Sequence, residues 1–355
     1  MSANLAPTLS VRTPAQILSQ TFSAADNYLS DGVVAKGQSA AFFGPSGVGK
    51  SRMVMQLALC CITEKAFLGL PTNGKGKSWL FLQAENSNRR LHADLRKHRS
   101  AFTDAEWGKI NESLFLHTLE KPVDERLRLS DSHTADLIAR CLRDHKPDTL
   151  VIDPLNSFAS ASLNNDEGML STLDRIFAMA KHANPDVTTI IVHHTVTGRD
   201  GIRKAVGPDR ASYGRGSKAL YGAVRGAINI APADPSDTRK VMVACGKNSN
   251  GVDFEPLGAV LNTETMLYEF DPTFDLEQWH EKYSGSKSSR SKVSPQKVAE
   301  LVAYRPMKKV ALIAELIAEF GVQKTKAYEA VREAENSTII LDPQTRLFRA
   351  IKVPT

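Results

Sequence analysis

The run Gly44 to Ser51, GPSGVGKS, meets the phosphate-loop pattern at every defining position. Gly44 and Gly49 let the backbone turn its N–H groups inward around phosphates, Lys50 supplies a point positive charge, and Ser51 offers a hydroxyl to Mg2+. Pro45, Ser46, Gly47 and Val48 complete the loop, and Arg52 follows it into the next element, so all nine positions are candidate nucleotide contacts. The chemistry expected is binding of a nucleoside triphosphate with Mg2+.

Acidic and imidazole groups supply the rest of a phosphoryl-transfer site. Asp153 ends the apolar run Thr149–Ile152, which puts its carboxylate at the carboxyl edge of a sheet, where it would hold Mg2+ opposite Ser51; the plainer alternative is a strand-ending Asp that opens a turn with Pro154. Glu85 follows the strand Ser78–Gln83 and is expected to approach the phosphates from a neighbouring strand end as the base that polarises the attacking water. Its alternative is an exposed acid near the start of the helix that carries Arg89 and Arg90. His193 and His194 close the strand Thr188–Val192 and suit a sensor of the γ-phosphate, with His194 preferred, or else a hydrogen-bonded structural role. The segment Thr195–Arg215 holds five Arg/Lys residues and several glycines, which suits a mobile loop over a polyanion or a merely solvated one.

These groups need a sheet to hold them. Ser39–Phe43 reads as a buried strand and Ser51–Ile62 as a helix with Val54, Leu57, Ala58 and Cys61 on one face, the strand–loop–helix order that a phosphate loop requires. Ser78–Gln83, Leu114–His117, Thr149–Ile152 and Thr188–Val192 alternate with charged helical segments, which predicts a mostly parallel sheet with helices on both faces. From Gly226 onward, Ala227–Ile230, Lys240–Cys245, Ala259–Asn262 and Met266–Phe270 read as strands joined by Asp-, Pro-, Asn- and Gly-rich turns, an antiparallel extension of that α/β core. Residues 1–30 form an N-terminal extension in which Pro14–Phe22 reads as a helix.

The remaining chain reads as a separate module. Residues 284–294, SGSKSSRSKVS, carry too little apolar surface to fold and are expected to link residues 1–283 to a domain at 295–355. There Pro295–Ala303, Lys308–Glu319 and Gln323–Glu335 read as helices and Thr338–Leu341 with Leu347–Ile351 as a hairpin, a winged-helix order. Residues 285–355 hold 13 Lys/Arg against 7 Asp/Glu, leaving 32 of each sign in the rest, so the whole net charge of +6 is C-terminal. A concentrated basic surplus is the electrostatic footprint of nucleic-acid binding.

Composition excludes other classes. The 355-residue chain is 42% hydrophobic, as a globular protein is, but holds no apolar run near the ~20 residues that span a bilayer. Its start, MSANLAPTLSVRT, lacks the apolar core of a secretory signal, so a cytoplasmic location with no membrane partner is expected. Cys60, Cys61, Cys141 and Cys245 have no zinc or redox spacing and read as buried reduced thiols.

With GPSGVGKS, Glu85 in FLQAEN, Asp153 in TLVIDP and His193–His194 in IIVHH, the chain resembles RecA-type ATPases, and more narrowly the plasmid-encoded hexameric replicative helicases of the RepA type, over roughly residues 25–265. That resemblance implies a RecA-like P-loop core, ATP and Mg2+ as cofactors, a homo-hexameric ring and single-stranded DNA as partner. It also implies that Arg215, in GRGS, reaches the γ-phosphate of a neighbouring subunit. Related ring helicases carry Lys-x-Arg-x-Gly at a strand end; Lys247–Gly251 reads KNSNG, keeping Lys247 and Gly251 but placing Ser249 where the arginine would stand. The tail is similar to winged helix-turn-helix domains, with Gln323, Lys324, Lys326 and Tyr328 opening the recognition helix and Lys308, Lys309, Arg346 and Arg349 placed to grip duplex phosphates. The readings left open are an ATP-hydrolysing DNA motor, a DNA-binding ATP switch without unwinding, and a protein-directed ATPase whose winged helix binds a partner.

Overall fold

A computed structural model describes residues 10–74, 77–121, 127–195, 198–214, 218–283, 293–320, 322, 324–335 and 337–351. The chain divides into two compact units between His280 and Glu281. In the first, a short antiparallel ribbon, β1 (Asn27–Leu29) and β2 (Val34–Ala35), precedes the main sheet. That sheet contains β3 (Ser39–Gly44), β4 (Trp79–Gln83), β5 (Leu114–Leu116), β6 (Thr149–Asp153), β7 (Thr188–His194), β8 (Gly226–Asp234), β9 (Asp237–Asn248), β10 (Leu257–Leu261) and β11 (Tyr268–Asp271).

Its strands lie in the order β11-β10-β9-β8-β3-β7-β6-β4-β5. Every pairing from β8 across to β5 is parallel, and those among β8, β9, β10 and β11 are antiparallel. This is the α/β arrangement expected, a mostly parallel sheet with an antiparallel extension, with one adjustment: the first strand after Gly226 still runs parallel to β3, and the reversal begins at β9. The central strands are buried along their length, as strands covered on both faces must be.

The Lys50–Thr63 helix is enclosed on more than the single face that Val54, Leu57, Ala58 and Cys61 define, since Met53, Met55, Gln56, Leu59, Cys60 and Ile62 are buried too. It is sandwiched between the sheet and the Asp104–Ser113 helix, so a one-sided stripe would not satisfy it. The N-terminal helix is shorter than read, Pro14–Leu18, because it has a capping box on Thr13 but no buried residue to extend it to Phe22. Cys60, Cys61 and Cys245 are buried free thiols, whereas Cys141 is only half-buried.

In the second unit, helices Pro295–Tyr304, Lys309–Phe320 and Lys324–Ala334 are followed by an antiparallel hairpin of β12 (Ile339–Leu341) and β13 (Phe348–Ala350). Val298, Val302, Leu312, Leu316, Val331 and Phe348 form its core. Val293 and Ser294, assigned by composition to the linker, belong here instead: Val293 is buried in that core and the Ser294 hydroxyl caps the first helix. The rest of the expected linker, residues 284–292, lies outside the described residues.

Candidate nucleotide site

Strand β3 delivers the chain to Gly44, after which the loop turns through Gly47 and Gly49, with φ of 76° and 94°. These are left-handed conformations that suit glycine. Gly49 has a second reason to be glycine: a Cβ there would collide with the Tyr268 hydroxyl. It is also the N-cap of the Lys50–Thr63 helix and offers no side-chain acceptor to the first turn, which leaves the leading N–H groups and the positive helix end facing the loop's mouth.

Lys50 is 6% exposed, and its ammonium donates to the carbonyls of Gly44 (2.9 Å) and Pro45 (2.8 Å) while lying 3.3 Å from Nδ1 of His194. Burial pushes the amine down to about 8, against the opposing pull of the Asp153 and Glu85 carboxylates. Asp153 is buried as well, and burial lifts its carboxyl to about 6, reinforced by Glu85 and opposed by a hydrogen bond with the Ser51 side chain and by Lys50. The loop hydroxyl and the strand-end acid therefore stand close enough to interact. Among the described residues no group of three His, Cys, Asp or Glu side chains converges on one point. One hydroxyl and one carboxylate nonetheless fit Mg2+, which binds few protein ligands and fills its remaining positions with water and phosphate oxygens.

Glu85 reaches this site by a longer route than the neighbouring strand end expected. In the sheet, β7 and β6 stand between β3 and β4, so the ends of β3 and β4 are separated by about three strand spacings, ~14 Å. The exposed Glu85 lies beyond the end of β4, in a turn that brings its charge to bear on both Lys50 and Asp153. Gln83, which pairs with Asp153 across β4 and β6, fixes that turn. Its Oε1 accepts from the Glu85 (3.2 Å) and Asn86 (2.7 Å) amides, and its Nε2 donates to the carbonyls of Asn86 (3.0 Å) and His117 (2.9 Å). The sequence reading missed Gln83, although a glutamine at the end of an otherwise apolar strand is a polar group that must find partners.

At the end of β7, His193 pairs in register with Phe43 and His194 with Gly44. His193 is buried with its ring edge-on to Phe43, and His194 reaches Lys50. Thr195 then bridges Gly214, which packs so closely on Phe43 that a Cβ would clash. The chain thus enters GRGS beside the loop strand; Arg215 itself lies outside the described residues. Lys247 sits elsewhere. Because β9 runs antiparallel, Lys247 pairs with Ala227 at the start of β8, at the edge of the sheet opposite Gly44, where it donates to the Tyr221 carbonyl (2.9 Å). It is remote from the phosphate loop of its own chain. Arg52 turns toward the Asn88–Arg99 helix, its Nε 3.6 Å from Asp94.

Two further residues unseen in the sequence support the loop. Tyr268 donates its hydroxyl to the Val48 carbonyl (3.3 Å), and the Gln56 amide pairs with both the N–H (2.6 Å) and the carbonyl (2.7 Å) of Tyr268. A signal for Gln56 existed, since it is the lone amide in the buried run Met53–Ile62.

In the second unit, Lys308, Tyr328 and Arg346 are exposed. Lys309 pairs with Glu335 (3.1 Å) and Arg349 with Asp342 (3.0 Å), surface pairs weak enough for a phosphate to replace. Gln323 and the side chains of Lys324 and Lys326 lie outside the described residues.

Sheet order, glycine loop, buried lysine and strand-end acid together define a P-loop ATPase. A family model described as AAA domain matches residues 7–200, and the chain belongs to that family. A KaiC-like protein from the hyperthermophilic archaeon Pyrococcus horikoshii OT3, known from its crystal structure, is similar at 17% identity and a TM-score of 0.45, over 70% of this chain and 94% of its own. No curated protein matches the chain. Among the described residues, no helix is long and apolar enough to cross a membrane.

Proposed function

We propose that this chain is a ring-forming, DNA-engaging motor driven by hydrolysis of ATP with Mg2+, of the kind that replicates plasmids or other mobile elements. The observation that carries the reading is the meeting of Lys50, Ser51, Asp153, Glu85 and His194 at one carboxyl edge.

In this reading, Ser51 and Asp153 would hold Mg2+, which would supply positive charge against the phosphate oxygens. Lys50 exchanges its carbonyl and imidazole partners for phosphate oxygens. Glu85, steadied by Gln83, orients water and takes its proton as the bond to the γ-phosphorus forms and the bond to the leaving oxygen breaks. His194 contacts Lys50 and is the group that registers the loss of the γ-phosphate. Arg215 completes the site of an adjacent subunit, and Lys247, at the far edge, takes no part in the site of its own chain. Exposed Val11, Ile17, Leu18 and Phe22 in the N-terminal arm give each subunit apolar surface for such an assembly.

The second unit reads as a winged helix that binds duplex DNA, supported by its basic surplus and by its element order. The test is ATP turnover and native mass with and without single-stranded DNA, followed by strand displacement on a fork. DNA-stimulated turnover by a ring, with displacement, supports the motor. Turnover without displacement supports a DNA-binding switch, and no DNA affinity even at low salt supports a protein-directed ATPase.

A further inference from the structure

The phosphate loop is held from behind by a strand at the far edge of the same sheet. Tyr268 opens β11, and its ring lies against Gly49 with its hydroxyl on the Val48 carbonyl. Tyr268, Val48 and Gln56 are all buried. Burial raises the Tyr268 phenol above its ordinary value, so the hydroxyl keeps its proton and remains a donor.

The Val48 carbonyl and the Gly49 N–H belong to one planar trans peptide, and the two groups point in opposite directions. A donor that fixes the carbonyl therefore also fixes the N–H, which points the other way. It also polarises the peptide, which strengthens that N–H as a donor. Gln56 sets the height of the tyrosine by pairing with both of its backbone groups, as a neighbouring strand would. The turn just before Tyr268 is held as well: Lys97 donates to the Thr263 carbonyl (2.8 Å) and His98 Nδ1 to the Thr265 carbonyl (2.8 Å), both from the helix that follows Glu85.

We infer that Tyr268 is a positioning residue for nucleotide, aiming the Gly49 amide at a phosphate group by gripping the opposite end of its peptide, with Gln56 setting the position of Tyr268. The inference rests on the ATPase reading above. Its test is Tyr268→Phe, which keeps the ring and removes only the hydroxyl, in steady-state ATP turnover by the full chain. Loss of one hydrogen bond from a group that binds substrate and transition state alike is expected to raise KM for ATP about three- to tenfold with kcat within about twofold. The melting midpoint without nucleotide stays within about 2 °C of the parent on the same ground. Gln56→Met is expected to raise KM in the same direction, and the double variant to fall short of the product of the two effects, because both act through one contact.

An unchanged KM in Tyr268→Phe, beside an active parent, overturns the inference. So does a fall in kcat at constant KM, or a lowered melting midpoint with no change in KM. If the parent itself neither binds nor turns over ATP, the ATPase reading has failed first, and that result is visible in the parent alone.

Discussion

The ammonium of Lys50 and Nδ1 of His194 stand 3.3 Å apart, and with the carbonyls of Gly44 and Pro45 the imidazole accounts for all three ammonium donors. Lys50 must release at least one of these partners to take up a phosphate oxygen. Removing the lysine is expected to lower ATP affinity by two orders of magnitude or more, about 3 kcal/mol, in the range of a lost charge-assisted contact in a buried site. His194→Ala is expected to leave binding within about tenfold and to weaken the response of DNA affinity to ATP, measured by anisotropy with ATP and with ADP.

Glu85→Gln keeps the size of the side chain and removes the base. Turnover is expected to fall about 10²- to 10⁴-fold while ATP still binds, as measured by single-turnover kinetics beside equilibrium binding. Gln83→Leu is expected to give a smaller loss of the same kind, because the turn carrying Glu85 loses three hydrogen bonds and its tie to His117 while the carboxylate remains.

Asp153 couples the site to pH and to stability. Its folded value is raised from 3.8 to about 6, so its contribution favours the fold below 3.8 and is lost as pH rises toward about 6. Lys50 is lowered from 10.5 to about 8, so the cost of its charge is present below about 8 and relieved as pH climbs toward 10.5. Neutral pH therefore leaves two buried charges that ligand must offset. Asp153→Asn is expected to stabilise the nucleotide-free chain by about 1–3 kcal/mol at neutral pH, with the gain vanishing as pH falls to 3.8, while abolishing Mg2+-dependent turnover. Denaturant unfolding across that window checks it.

Arg215→Ala is expected to reduce turnover by about three to five orders of magnitude, as for loss of an arginine finger. Mixing Arg215→Ala with Glu85→Gln subunits restores some complete interfaces if the two residues act across a boundary, and activity plotted against mixing ratio measures that recovery.

The parts of this site legible in the sequence are those that local rules govern. GPSGVGKS announces its own backbone, and Asp153 could be placed because an apolar run of strand length ends on it. Lys247 was not legible, since its position depends on which way β9 runs beside β8, and a periodicity of two carries no direction. Glu85 follows the strand beside that of Asp153, but its separation from β3 by β7 and β6 was not legible, because strand order follows from crossovers that leave no local trace. The bracing of Val48 by Tyr268 joins residues 220 positions apart, and only the folded register brings them together. Gln56 is the exception: an amide amid buried apolar residues signals an obligatory partner without naming it.

The central claim is that a nucleoside triphosphate is held beside Lys50, and calorimetric titration of the folded chain with ATP and Mg2+ addresses it most directly. Saturable binding with a fitted Kd, lost in Lys50→Ala and weakened when Mg2+ is chelated, is the predicted result. A flat titration for the parent chain, folded by circular dichroism and tested with both adenine and guanine nucleotides, would contradict it.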